Sequence, residues 1–231
     1  MTPYSFVAGE YYNPALHPTC ANFDNLSRRF LEPEIGNAIT GALSVLEVGA
    51  GRSIVAPTLE KTGVALNLVL LDSSKEMLAS SFRWAHLAKL MVADSRSTGL
   101  PSESVDLVVS SLGDPYNTAD FWQEVSRLLK SGGCCLFTTP APEWALHFRT
   151  SNHLNEAEFV LADSTVVNVP SFVPSPEEQE RLFANAGLCV EESKDFSVDD
   201  LAEPISEKLK LPELRDKALA VLRGFRLRKL R

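Results

Sequence analysis

Two glycines and two carboxylates in the first third of the chain have the types and spacing of a nucleoside-binding turn. Glu47 and Gly49 come at the end of a short apolar run, Gly51 follows, and Asp72 closes the next apolar run. Glycine adopts backbone angles that are closed to other residues, so the chain can pass close to a ligand there. A carboxylate that ends the neighbouring strand stands where a ribose would lie. The pattern predicts a crevice for a nucleoside cofactor.

The glycine spacing argues against a dinucleotide in that crevice. A dinucleotide-binding turn needs a third small residue three positions after the second glycine, where a helix N-terminus receives the pyrophosphate. That position is Ile54, and no phosphate-loop Gly-Lys-Ser/Thr follows it. The chain also lacks the Tyr-x-x-x-Lys pair of many nicotinamide oxidoreductases. A nicotinamide oxidoreductase on a similar sheet is therefore the weaker hypothesis.

Six short motifs follow one another in a characteristic order. They are Glu47-Val-Gly-Ala-Gly51, Asp72 followed by Met77-Leu78, Val92-Ala-Asp94, Ser104-Val-Asp-Leu-Val-Val109, Arg127-Leu-Leu-Lys-Ser-Gly-Gly133 and Ala184-Asn-Ala-Gly-Leu188. Over roughly residues 40–195, they resemble the class I S-adenosylmethionine-dependent methyltransferases, particularly the methyltransferase type 11 kind. The resemblance implies S-adenosylmethionine as the cofactor. It also implies an α/β fold, namely a doubly wound, mostly parallel seven-stranded sheet with an N-terminal cap segment.

The resemblance assigns a cofactor role to a set of residues around the turn. Asp72 would bind both ribose hydroxyls, because an ionised carboxylate has two acceptor oxygens at a matching separation. Glu47 would face the methionine amine, and Asp94 would accept a hydrogen bond from the adenine amino group. The whole set is Glu47, Gly49, Ala50, Gly51, Asp72, Ser73, Met77, Asp94, Ser95 and Ser111. Two members have alternative roles, since Asp94 can be an ordinary turn residue and Met77 can belong to the core.

Two other segments contain candidates for the chemical step. Asp114-Pro115-Tyr116 follows the fourth predicted strand and faintly resembles the Asp/Asn-Pro-Pro-aromatic motif of enzymes that methylate amino nitrogens. A simple turn before a helix is the alternative. Tyr12 and His17, in the ring-rich N-terminal segment, can close over a sulfonium by cation–π contact or supply a base. A base is needed only when the acceptor must lose a proton, and a structural role for His17 is also open.

Along the chain, apolar runs alternate with amphipathic segments, a pattern typical of parallel strands joined by helices. These strands and helices must position the candidate residues. The predicted strands of this core cover 44–48, 67–71, 89–92, 106–110 and 134–138. Capping boxes at Ser73-Ser-Lys-Glu76 and Ser175-Pro-Glu-Glu178 predict two helix starts. Gly132-Gly133 predicts the end of a helix over 118–130.

We expect one domain over residues 1–231, divided into four segments. These are a cap at 1–40, a cofactor-binding half at 41–139, a substrate-side insertion at 140–174 and the rest of the sheet at 175–231. In the cap, Pro33 is expected to interrupt a helix near 25–40. The insertion, with a strand at 164–169, forms either a substrate wall or a peripheral hairpin. The last strand is expected over 218–225.

Composition limits the other functional classes. With 231 residues, 45% of them hydrophobic, the chain can bury roughly 70% of its unfolded surface without disulfides or a metal. Cys134 and Cys135 are adjacent in a predicted strand and would face opposite ways, which argues against metal binding and disulfides. The net charge is −8, and nucleic acid is therefore an unfavoured partner.

The last nine residues contain five basic side chains, at Arg223, Arg226, Arg228, Lys229 and Arg231. Either they form a solvated terminus, which is the favoured interpretation, or they contact RNA or phosphate.

The sequence shows no basic leader and no apolar stretch of membrane-spanning length, so we expect a cytoplasmic protein. We expect a methyltransferase acting on a small or nucleoside-sized acceptor, with its oligomeric state undetermined. A non-catalytic S-adenosylmethionine-binding module and a nucleic-acid N-methyltransferase are the alternatives.

Overall fold

The computed structural model describes residues 1–149 and 155–230. The strands are β1 Ser44–Val48, β2 Asn67–Asp72, β3 Ala88–Val92, β4 Val105–Ser110, β5 Leu129–Pro140, β6 Glu156–Val160, β7 Val166–Pro170, β8 Leu188–Phe196 and β9 Leu222–Lys229. The α-helices are α1 Pro3–Val7, α2 Pro18–Ala38, α3 Val55–Thr62, α4 Lys75–Leu78, α5 Ala119–Leu128, α6 Pro142–Ala145, α7 Pro176–Asn185 and α8 Pro212–Asp216.

Seven strands form one sheet in the order β3-β2-β1-β4-β5-β9-β8. The pairs from β3 to β5 are parallel, and β9 is antiparallel to both of its neighbours. The chain proceeds from β1 to β2 and β3 on one side, then returns to place β4 and β5 on the other. A crevice opens where the strand order reverses, beyond the carboxyl ends of β1 and β4. The predicted doubly wound, mostly parallel seven-stranded sheet is confirmed.

Helices cover both faces of the sheet, so the molecule has two apolar cores. Buried side chains of α2, α3 and α8 pack on one face and those of α5 and α7 on the other. Cys134 belongs to the first core and Cys135 to the second, because successive strand residues point to opposite faces. All four cysteines are free thiols.

The predicted boundary between α5 and β5 was wrong. We expected Gly132-Gly133 to end a helix over 118–130, whereas α5 ends at Leu128 and the glycines lie inside β5. Gly132 has a φ of +75°, and a Cβ on Gly133 would lie 2.9 Å from the carbonyl oxygen of Lys130. The register between β4 and β5 also shifts in this region. The glycine pair therefore accommodates a strand irregularity rather than a helix end.

Two other local predictions need correction. Pro33 lies within α2 and does not interrupt it; the helix runs from Pro18, and its buried residues, Phe30 and Ile35 among them, pack on the sheet. These tertiary contacts outweigh the cost of a proline inside the helix.

The cap of α4 is Ser74 rather than Ser73, because the Ser74 hydroxyl accepts the hydrogen bond from the Met77 amide. The predicted cap of α7, Ser175, is confirmed.

The basic C-terminal segment is part of the sheet. The last strand was expected over 218–225, whereas β9 continues to Lys229. Arg226 pairs with Glu34 and Glu191, Arg228 also pairs with Glu191, and Arg223 pairs with acidic neighbours on either side. The interpretation as a solvated terminus was therefore wrong for these arginines, because β9 lies between two strands instead of at an edge. Arg231 lies outside the described residues.

The insertion contains an antiparallel hairpin formed by β6 and β7. β7 corresponds to the strand expected at 164–169, and β6 was not predicted. Phe159 and Val169 of the hairpin pack with Val7 of the N-terminal segment. Residues 150–154 of the insertion lie outside the described part. Among the described helices, none has both the length and the apolar character needed to cross a membrane.

Gly224→Ala tests the packing of α2 on β9. A Cβ at this position would lie 2.5 Å from Cγ of Phe30, so the ring and the strand must separate. We expect the free energy of unfolding to fall by about 1–3 kcal/mol in urea titrations. Gly36→Ala, within α2 and with no atom within 4 Å of the added methyl, should instead be stabilising by about 0.5–1 kcal/mol. Equal stability of the two variants would contradict this packing.

Candidate active site

The carboxylate of Asp72 holds together the two chain segments that follow β1 and β2. Its Oδ2 accepts a hydrogen bond from the Gly51 amide at 3.0 Å, and its Oδ1 accepts one from the Ser74 amide at 2.8 Å. The residue is 7% exposed, and burial raises the pKa of Asp72 while these backbone donors oppose the rise. Each oxygen keeps a second acceptor site. Asp72 can therefore orient the turn and still accept hydrogen bonds from a ligand.

The turn after β1 depends on glycine at two positions. Gly49 and Gly51 have φ angles of +63° and +33°. A side chain at Gly49 would collide with the hydroxyl of Tyr116, and one at Gly51 would collide with the hydroxyl of Tyr12. Both glycines thus leave room for a tyrosine to approach the backbone of the turn.

Glu47 binds the N-terminus of α3. Its Oε1 accepts a hydrogen bond from the Ile54 amide at 2.8 Å, and its Oε2 accepts from the Val55 amide and the Ser53 hydroxyl. The side chain is buried, which raises the pKa of Glu47. Glu47 borders the cavity described next, but its oxygens already serve the helix N-terminus. The contact with a methionine amine stays a prediction.

A cavity of about 270 Å³ lies beyond the carboxyl ends of β1 and β4. It brings together eight of the ten predicted cofactor residues, namely Glu47, Gly49, Ala50, Asp72, Ser73, Met77, Ser95 and Ser111. Gly51 does not line the cavity itself but binds Asp72 directly. Asp94 is the remaining member.

Asp94 does not reach the cavity wall. Both of its oxygens are bound by the guanidinium of Arg96, at 2.7 and 3.0 Å, and the ion pair is exposed. This pairing lowers the pKa of Asp94. The neighbouring Ser95, 8% exposed, lines the cavity in its place. The placement agrees with the alternative that Asp94 is a turn residue, and its contact with the adenine amino group stays a prediction.

Of the two candidates in the N-terminal segment, Tyr12 lines the cavity and His17 does not. The Tyr12 hydroxyl accepts a hydrogen bond from the Arg52 amide at 2.7 Å, and the Arg52 guanidinium lies 4.5 Å from the ring centroid. Tyr12 therefore covers the turn and lines the cavity. His17 is buried outside the cavity, with Nε2 3.7 Å from Glu10 and its ring 5.3 Å from that of Phe159. The expected catalytic position of His17 is corrected, because the hairpin packs over it.

The two candidates after β4 also differ. The Tyr116 hydroxyl donates to the Val48 carbonyl at 2.9 Å and lies 2.9 Å from the Ser110 hydroxyl, so Tyr116 lines the cavity next to the turn. Asp114 is buried behind it and is not among the lining residues. Its Oδ2 accepts from the Ser171 hydroxyl at 2.5 Å. A direct acceptor contact by Asp114 is thus not supported by its position.

Asp114 connects the insertion to the site. Its carbonyl accepts a hydrogen bond from the Phe172 amide at 2.7 Å, and Ser171, which binds its carboxylate, is in turn bound by Arg149 at 2.6 Å. Burial raises the pKa of Asp114 to about 6, and Ser171 and Arg149 limit the rise. Asp114 therefore fixes where the chain leaves the hairpin.

Several lining residues were not predicted from the sequence. They include Tyr4, Tyr11, Cys20, Ala21, Asp24 and Pro115. Most come from the N-terminal segment and the start of α2. The concentration of aromatic residues before α2 was the available signal, but nothing in the local pattern showed which rings face inward.

Comparison with known proteins agrees with this geometry. Residues 46–137 match the family model described as a methyltransferase domain. This match begins within β1 and ends within β5, and it includes the turn, Asp72 and Tyr116. Over these residues the chain is similar to a methyltransferase domain. S-adenosylmethionine is the cosubstrate that this similarity implies, and the residues that line the cavity fit its nucleoside.

A curated relative of this chain is the malonyl-[acyl-carrier protein] O-methyltransferase 1 of Coxiella burnetii, 29% identical over 138 residues. The match covers 56% of this chain and only 47% of that protein, about half of its length.

Solved structures share the fold. A Listeria monocytogenes protein assigned to the S-adenosylmethionine-dependent methyltransferases aligns with a TM-score of 0.64 and 17% identity, over 90% of this chain and all of its own. A methyltransferase from Mesorhizobium loti aligns with a TM-score of 0.60 and 21% identity, over 85% of this chain and 96% of its own. At these identities the likeness is one of fold.

Asp114→Asn tests the burial of this carboxyl group. Its pKa is about 6 in the folded protein against an ordinary 3.8, so the folded protein binds the proton more tightly than the unfolded chain. The stability contributed by this group is full below about pH 4 and is lost as the pH rises through about 6. Relative to the wild type, the variant should therefore gain up to about 3 kcal/mol between about pH 4 and 7. Urea unfolding across this range measures the difference, and a difference independent of pH would contradict the burial.

Proposed function

We propose that this chain transfers the methyl group of S-adenosylmethionine to a small or nucleoside-sized acceptor. The observation that carries the proposal is the placement of Asp72, whose carboxylate holds the Gly51 amide and borders the cavity at the switch point of the sheet. A ribose bound by Asp72 would place the base toward Met77 and Ser95. The methionine part would then extend along the turn toward Tyr116.

In this proposal each part of the chain has a task. Residues 41–139 hold the cofactor, residues 1–40 supply the cover and α2, and residues 140–174 form the substrate side. The N-terminal segment supports a small acceptor, because Tyr4, Tyr11 and Tyr12 narrow the cavity. The name of the Coxiella burnetii relative supports methyl transfer as the reaction class.

Methyl transfer requires alignment of the methyl donor and the acceptor more than it requires reactive side chains. S-adenosylmethionine supplies an electrophilic methyl group on a positively charged sulfur. The chain holds the nucleoside through Asp72 and the backbone of the turn, and it excludes water with the rings of Tyr12 and Tyr116. Holding both reactants in line can contribute on the order of 7 kcal/mol or more to lowering the barrier. The rings also face a cation favourably.

The alternatives have less support. A dinucleotide would need space where Ile54 is buried at the start of α3. The hypothesis of a nucleic-acid N-methyltransferase depended on the basic tail and on the Asp114 motif. The described arginines of β9 are ion-paired, however, and Asp114 does not line the cavity.

Calorimetry with S-adenosylhomocysteine tests the proposal. We expect Asp72→Ala to weaken binding about 100-fold or more, since two charge-assisted hydrogen bonds to the ribose are lost. Asp163→Ala, an exposed turn carboxylate, is the matched control and should bind as the wild type does. Thermal melting shows whether each variant is folded. Unchanged affinity in Asp72→Ala, or tighter binding of NAD than of S-adenosylhomocysteine, would contradict the proposal.

A further inference from the structure

Arg52 is the single cation among the described residues that line the cavity. The charged groups that line it besides Arg52 are carboxylates, those of Asp24, Glu47 and Asp72. Like charges repel, so an anionic group that enters this cavity is disfavoured unless a cation lies close to it. Any anionic part of a ligand is therefore expected to lie beside Arg52.

Two neighbours hold the Arg52 side chain against the cavity wall. Its Nη2 donates a hydrogen bond to Oδ2 of Asp24 at 3.0 Å, and its Cζ lies 4.5 Å from the centroid of the Tyr12 ring. The backbone amide of Arg52 also donates to the Tyr12 hydroxyl, at 2.7 Å. Asp24 and Tyr12 both line the cavity. The guanidinium, although its side chain is 46% exposed, is thus oriented by residues of the cavity and does not extend freely into solvent.

Most of the donors of the Arg52 guanidinium are available to a ligand. A guanidinium carries several N–H groups in one plane, and their spacing matches the two oxygens of a carboxylate. Within residues 1–149 and 155–230, the Arg52 side chain gives one hydrogen bond, the one from Nη2 to Asp24. The same oxygen of Asp24 also accepts from Nε of Arg28 at 3.0 Å, so one carboxylate serves two guanidinium groups. Arg52 therefore keeps unused donors and an incompletely compensated positive charge.

The proposed cofactor has a single anionic group. Its methionine part carries a carboxylate, while the ammonium and the sulfonium are cations that the lining carboxylates attract. In the proposed placement the methionine part lies along the turn after β1, and Arg52 directly follows Gly51 of that turn. The Gly51 amide is itself bound to Asp72, which fixes this turn relative to the proposed ribose site. The only anion of the cofactor and the only described cation of the cavity wall therefore belong beside the same turn.

We propose that Arg52 binds the carboxylate of the methionine part of the cofactor and thereby selects ligands that carry the intact amino acid. This inference rests on the proposed methyltransferase function. The donors that Asp24 does not use are sufficient for a charge-assisted contact with both carboxylate oxygens. Asp24 and Tyr12 are positioning residues in this contact, because the first binds one edge of the guanidinium and the ring of the second supports its face.

Two ligands that differ in one group isolate this contact. S-adenosylhomocysteine carries the carboxylate, and its decarboxylated analogue, in which an aminopropyl group replaces the amino-acid part, keeps the nucleoside, the sulfur and the amine. Calorimetry on the purified wild-type chain measures the affinity for each ligand. We expect S-adenosylhomocysteine to bind about tenfold or more tightly than the analogue, because the analogue cannot accept the charge-assisted hydrogen bonds of Arg52.

Variants of Arg52 show whether this residue causes the preference. Arg52→Gln should weaken the binding of S-adenosylhomocysteine about tenfold or more, while the analogue should bind within about twofold of its wild-type affinity or more tightly. Arg52→Lys keeps the charge without the planar fork and should retain part of the preference. Lys61→Gln, which removes an exposed positive charge in the last turn of α3, is the matched control and should leave both affinities within about twofold of the wild type.

The other outcomes separate this inference from the proposed function. If the wild type binds both ligands equally, or if Arg52→Gln keeps the full preference, Arg52 does not bind the carboxylate, and the cofactor site itself stands. An equal loss of both affinities in Arg52→Gln also overturns the assignment, because the substitution then disturbs the turn instead of removing one contact. Thermal melting shows whether each variant is folded, and the wild-type comparison needs no variant. Failure of the wild type to bind S-adenosylhomocysteine overturns the proposed function.

Discussion

The candidate site depends on one buried carboxylate. Asp72 ends β2, accepts the Gly51 amide from the turn after β1, and accepts the Ser74 amide at the start of α4. Parallel pairing brings the ends of β1 and β2 near one another, and the Asp72 carboxylate then fixes their relative position. Burying the charge is costly, and the backbone donors offset part of that cost. The acceptor capacity left over lies on the cavity side.

A second constraint is steric. The glycine turn must let two tyrosines approach from opposite parts of the chain, Tyr12 from the N-terminal segment and Tyr116 from the segment after β4. Both hydroxyls bind the backbone near the turn, at Arg52 and Val48. A side chain on either glycine would therefore push a tyrosine away from the turn.

The core of the fold follows from local sequence. Alternating apolar runs placed β1 to β4 within one residue at each end, and eight of the ten residues predicted to hold the cofactor line one cavity. Sequence reasoning failed where long-range packing decides the outcome. The 12-residue β5, the uninterrupted α2 and the ion-paired arginines of β9 all depend on neighbours distant in the chain. Motif spacing does not show which way a side chain turns, so it did not show that Asp94 pairs with Arg96 or that His17 lies outside the cavity.

The most direct test of the account is a crystal structure of the protein with S-adenosylhomocysteine. The account predicts both ribose hydroxyls within hydrogen-bond distance of the Asp72 carboxylate, the base beside Met77 and Ser95, and the amino-acid part directed along the turn toward Tyr116. A ligand bound elsewhere, or a ribose without contact to Asp72, would contradict it.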